Sequence, residues 1–187
     1  MSNSNSSAVF GFWVYILSDC ILFSAIFAAY AVLHTSVYAG PSIKDITNIP
    51  YIFAETIILL TSSFTFGMAM LALYKKKQAS VFAFMIATFM LGAVFVGMEL
   101  NEFIHLYLEG HTWQTSAALS AFFTLVGTHG LHVSLGLVWM LILMVQLALI
   151  GMQPVMIKRL TYFGLFWAFL DIVWIFVFTI VYLMGAI

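Results

Sequence analysis

The chain has 187 residues, 64% of them hydrophobic and 7% charged, where soluble domains average about 45–50% and 25%. With 19 Phe, 8 Tyr, 5 Trp and a mean hydropathy of +1.12, it has too little polar material to clothe a water-soluble globule or to stay disordered. Six Lys plus Arg against seven Asp plus Glu leave a net charge of −1 and no basic field, which excludes nucleic-acid binding.

Apolar runs long enough to cross a hydrocarbon core of about 30 Å, roughly 20 helical residues each, occupy 10–34, 51–74, 81–107, 116–150 and 160–184. The expected fold is all-α: a polytopic bundle of five spans forming one transmembrane domain over 1–187. Pro41, Pro50 and Pro154 fall in the breaks AGPSIKDITNIP and GMQPVMIKR, not inside a span. The N-terminal MSNSNSSAVF lacks the cationic start of a signal peptide and Asp19 interrupts the apolar run behind it, so the first run is expected to stay as a span. Lys75, Lys76 and Lys77 in the second connection and Lys158 and Arg159 in the fourth mark those connections as cytoplasmic, placing the N-terminus in the cytoplasm and Ile187 in the periplasm. Cys20 stands alone, so it forms no intrachain disulfide, redox pair or thiolate zinc site and is expected as a small buried thiol. No internal repeat is visible, which fits poorly with a secondary transporter.

Cationic residues keep to the connections, yet acids enter the spans. The first span carries Asp19, and the second carries Glu55 close enough to its boundary to reach interfacial water. In the third, GMELNEFIH sets Glu99, Glu102 and His105 at three-residue intervals along one polar edge, with Glu99 the deepest. The fourth reads THGLHV, with His129 and His132 and a four-residue stripe of small or polar side chains from Ser116 to Gly136 that suits a close helix contact. Two histidines at this spacing can also bind metal, and Glu102 with His105 has the ExxH spacing of di-iron bundles, but the chain has no second ExxH. The fifth brackets Asp171 with Trp167 and Trp174, whose indole N–H groups are natural carboxylate partners. Asp19 and Asp171 each lie about ten residues into a span, so a shared proton between them is one expectation. Each acid is open to several readings: carried neutral, hydrogen-bonded to a hydroxyl or imidazole, facing another subunit, or touching a lipid head group.

The stretches FGFWVYILSDCILFSAIFAAYAVL, ETIILLTSSFTFGMA, GMELNEF, FFTLVGTHGLHVSLGLVWM and FWAFLDIVWIFVFTIVYLMG together resemble subunit III of the haem–copper respiratory oxidases across nearly the whole chain. The short length and Ser18-Asp19-Cys20, where cytochrome c oxidases usually have Ser-Glu, resemble the ubiquinol-oxidase (cytochrome bo-type) branch. The resemblance implies an accessory subunit without haem or copper of its own, those being expected in subunit I. It also implies partnership with oxidase subunits I, II and IV, bound phospholipid, and a place in the bacterial inner membrane. The complex so implied oxidises ubiquinol, reduces dioxygen to water and pumps protons. Glu99 matches, by resemblance, the family's intramembrane carboxylate that reacts with hydrophobic carbodiimide, in a lipid-anchoring or proton-supplying role. Family members often have Trp-His-Phe where this chain has Trp167-Ala168-Phe169. Other readings are a cytochrome c oxidase-type subunit III, an autonomous membrane redox enzyme using His105, His129 and His132, and a proton-coupled carrier using Glu99 and Asp171.

Overall fold

The computed structural model describes residues 2–34 and 48–183, with side chains from Ser7 onward. Its helices are α1 (Ser2–Leu33), α2 (Ile49–Tyr74), α3 (Gln78–Leu108), α4 (Ala117–Ile150) and α5 (Pro154–Val177), the last continuing as a π-helical segment, Phe178–Leu183. Among the described residues five helical stretches are long and apolar enough to cross a membrane. In hydrocarbon only a helix or closed barrel satisfies its own backbone, and these unbroken runs take the first solution. Lys44 and Pro41, in the break between the first two spans, and Met184 to Ile187 lie outside the described residues.

Several boundaries differ from those read off the apolar runs, because polar residues continue a helix beyond the hydrocarbon. α1 begins at Ser2 rather than at residue 10, and α3 at Gln78 rather than at 81. α5 starts at Pro154 rather than at 160; proline's fixed φ suits a first helical turn. Lys158 and Arg159 therefore sit in the first two turns of α5, not in a connection. Ser116 caps α4, its Oγ accepting the Leu119 N–H at 3.1 Å. The chain reverses between α2 and α3 through Lys75 to Lys77, with Lys76 at a φ of 54°, and between α4 and α5 after Gly151 at a φ of 73°.

α2 lies along α3, α3 against α4, α4 against α5, and α5 closes back on α2; α1 stands outside this ring, packed on α4 and lightly on α5. The ring has two distinct ends. One, here the lysine end, gathers the C-termini of α2 and α4 and the N-termini of α3 and α5. The other, the acid end, gathers the opposite termini, including the π-helical segment.

Lipid is as apolar as a core, so helix association rests on close packing and interhelical hydrogen bonds. The Trp167 indole lies between Gly92 of α3 and Gly136 of α4: a Cβ at Gly92 would come within 3.1 Å of it, and one at Gly136 within 3.0 Å. Gly164 receives Phe66 in the same way, a Cβ there meeting the ring at 2.7 Å. Across the α2–α5 seam the Trp167 N–H donates to Ser62 Oγ at 3.1 Å and the Trp174 N–H to Thr56 Oγ1 at 3.0 Å. Each hydroxyl passes its own proton to a backbone carbonyl of α2, Ser62 to Leu59 and Thr56 to Ile52. These indoles are thus spent on hydroxyls and not on Asp171, the partner that their spacing in the sequence pointed to.

Candidate functional site

At the acid end the polar edge of α3 runs from the interior outward. His105 is at the surface, its side chain 69% exposed and 3.4 Å from Glu109. Glu102, one turn inward, is half-buried. Glu99, nine residues or about 13 Å from the end of α3, is 3% exposed, and neither carboxylate oxygen has a hydrogen-bond partner. Its carboxylate lies directly on the backbone of Gly130 in α4, so close that a Cβ there would collide with both oxygens. Only glycine at 130 leaves room for it.

Glu55 of α2 departs from expectation. Instead of reaching interfacial water it is 0% exposed, with both oxygens unpartnered. The reason is topological: its side chain turns into the α2–α3–α5 junction, within electrostatic reach of Glu102 and Glu99. The fourth member of this group, Tyr182, was not apparent from the sequence. The π-helical segment brings its phenol inside, fully buried, where the hydroxyl donates to Glu102 Oε2 at 3.3 Å and its ring packs on Phe122 at 5.7 Å. π-turns of this kind recur at functional sites. Tyr51 donates to the carbonyl of Met98 at 3.1 Å, tying α2 to α3 beside the group. Outside it a cavity of about 210 Å³ is lined by Asn48, Tyr51, Asn101, Glu102, His105 and Leu106.

The two histidines of α4 part company. His129 is 0% exposed, its ring held among Phe95 at 5.9 Å, Trp174 at 5.1 Å and Phe23 at 6.5 Å, and neither nitrogen has a hydrogen-bond partner. His132 turns toward α1. Its Nδ1 donates to the Thr128 carbonyl at 2.7 Å, since a carbonyl only accepts, which leaves Nε2 facing Asp19 Oδ1 at 3.7 Å. Asp171, 7% exposed, faces Ser63 of α2. Asp19 and Asp171 thus meet different helices, and the structure does not bring them together. Cys20 is half-buried rather than buried and lines an apolar groove between α1 and α5.

The stripe on α4 is only partly used within the chain. Ser116 and Gly136 are buried and His132 meets α1, but Ser120 and Thr124 face outward. Among the described residues no group of three or more His, Cys, Asp or Glu is arranged to hold a metal ion.

Comparison with known proteins matches residues 3–186 to the family described as cytochrome c oxidase subunit III. The chain is 54% identical to the cytochrome bo(3) ubiquinol oxidase subunit 3 of Pseudomonas aeruginosa, covering 99% of this chain and 88% of that one. It is 50% identical to the protein of the same name from Pseudomonas putida, over 99% and 89%. To the cytochrome c oxidase subunit 3 of a Bacillus species it is 41% identical, over 95% and 86%. With its five membrane-capable helices and these matches over nearly its full length, the chain belongs to the subunit III family of the haem–copper respiratory oxidases.

Proposed function

We propose that this chain is the non-catalytic third subunit of a cytochrome bo-type ubiquinol oxidase in a bacterial inner membrane, assembling with subunits I, II and IV, stabilising subunit I and holding phospholipid. The identities favour this branch, at 54% and 50% to ubiquinol oxidase subunits against 41% to a cytochrome c oxidase subunit. The haems and copper belong to subunit I in this reading, and quinol oxidation and oxygen reduction take place there.

The observation that carries the lipid part is the placement of α1 outside the closed ring. It leaves a trough of about 590 Å³ against α5, walled by Phe23, Phe27, Phe169, Ile172, Phe176 and Ile180, a shape and lining suited to an acyl chain. Lys75 to Lys77, Lys158 and Arg159 gather at one end of the bundle, which supports a cytoplasmic lysine end and a periplasmic acid end. In the same reading Glu99 is the carboxyl that meets a lipid-soluble carbodiimide. Peptide mapping after labelling checks this, and modification of Asp19 instead would move that role to α1.

The test is purification of the oxidase with and without this chain. Loss of the chain is expected to shorten the working lifetime of the complex and lower its phospholipid content while haem and copper content stay constant. Stoichiometric haem or metal on the isolated chain would overturn the reading, as would substrate flux through the chain alone in liposomes.

A further inference from the structure

We propose that Glu55, Glu99, Glu102 and Tyr182 form a proton-holding site that exchanges protons with water at the acid end through the cavity lined by Tyr51, Asn101 and His105. This goes beyond the assembly and lipid roles above and does not depend on them.

The argument begins with charge. Three carboxyls from two helices lie within electrostatic reach of one another, and among the described residues no Lys or Arg is one of the groups that face them. Those groups are Tyr51 of α2, His105 and beyond it Glu109 of α3, His129 of α4 and Tyr182 of α5. Three neighbouring anions cannot be sustained in a membrane interior without a cation, so the group carries protons, and how many depends on the supply.

The second step is access. Glu55 and Glu99 are sealed and their oxygens unpartnered, so they receive protons only through a neighbour. Glu102 is that neighbour: half-buried, it lies within electrostatic reach of the inner acids and lines the 210 Å³ cavity. At the mouth stands exposed His105, whose ring nitrogens can exchange hydrogen bonds with water. The third step is orientation. Tyr182, turned inward by the π-helical segment, donates to one oxygen of Glu102 and leaves the other free to exchange. The transfer balances simply: a hydronium at the mouth protonates Glu102, which passes a proton inward and returns to the anion.

Beyond Glu99 the way is closed. The next polar side chain, His129, is walled by Phe95, Phe23 and Trp174. The site is therefore a dead-end reservoir that buffers protons at one membrane face, and not a channel across the bundle.

Infrared difference spectroscopy on the assembled oxidase containing this chain tests it. Transfer into heavy water should shift the carbonyl stretches of protonated carboxyls that disappear in Glu55→Gln and Glu99→Gln. Glu102→Gln should leave those bands present but slow their exchange by about tenfold or more. Should Glu102→Gln fail to assemble, Asn101→Leu at the exposed mouth should slow exchange in the same direction. Bands that do not respond to pH or heavy water would mark Glu55 and Glu99 as sealed structural acids and overturn the proposal. So would exchange that neither Glu102→Gln nor Asn101→Leu alters.

Discussion

The two ends of the bundle handle buried polarity in opposite ways. Toward the lysine end most polar side chains that enter the core are matched, Ser63 Oγ excepted: the Trp167 N–H finds Ser62, Ser62 finds the Leu59 carbonyl, and Thr65 meets Thr88 at 2.9 Å. At the acid end Glu55, Glu99 and His129 are equally buried and have no hydrogen-bond partner. Unmatched groups in a low-dielectric interior lower stability, so stability cannot be why they are there. The lysine end is where the fold is secured, and under the proton-holding proposal the acid end is where the sequence gives up stability for chemistry.

The contrast breaks most visibly at Trp167. Trp167→Ala empties the space between Gly92 and Gly136 and removes the bond to Ser62, and should cost about 3–5 kcal/mol. Thermal unfolding of the purified oxidase, followed by release of this subunit, measures it; a loss well under 1 kcal/mol would mean that the helices close over the gap. Gly130→Ala is the corresponding lesion at the acid end, since the new methyl collides with the Glu99 carboxylate. Overpacking of this kind costs about 1–3 kcal/mol. The double variant Gly130→Ala/Glu99→Ala should recover most of the loss, and absence of recovery would show that Gly130 is required for something other than the room it leaves to Glu99.

How much of this the sequence disclosed follows the same division. The five spans, and Glu99 as the deepest acid of α3, were readable because apolar length and three-residue spacing act along one chain. The start of α5 was misplaced because Lys158 and Arg159 look like a connection, although a proline at the first helical turn permits helix beneath them. Glu55 was misjudged because distance from a span boundary says nothing about which neighbour covers the side chain; here α3 and α5 do. Tyr182 had no local signal at all. A π-helical turn comes from packing against other helices, and FTIVYL reads as ordinary lipid-facing helix. The pairing of Trp167 and Trp174 with hydroxyls of α2, and of Asp19 with His132, depends on the rotation of helices about their axes, which spacing within one segment does not determine.

Smaller effects sharpen the contrast. Ser62→Ala leaves the Trp167 N–H buried without an acceptor and should cost about 1–3 kcal/mol. The Trp167→Phe/Ser62→Ala pair tests this directly: with donor and acceptor both gone, the added cost of the alanine should vanish, and a cost that persists would assign it to lost packing.

Glu99→Met should have the least effect on stability, within about 0.5 kcal/mol or slightly favourable, because a buried polar group without a partner contributes nothing that an apolar side chain of similar volume cannot. Here the two ends make opposite predictions for the same kind of change: removing a polar group near the lysine end weakens the fold, and removing one at the acid end does not. Unfolding of the Glu99→Met oxidase decides it. A loss above about 1 kcal/mol would show that the Glu99 carboxyl is a structural tie between α3 and α4. An unchanged midpoint with the Glu99 infrared band gone would show an acid retained for its proton and not for the fold.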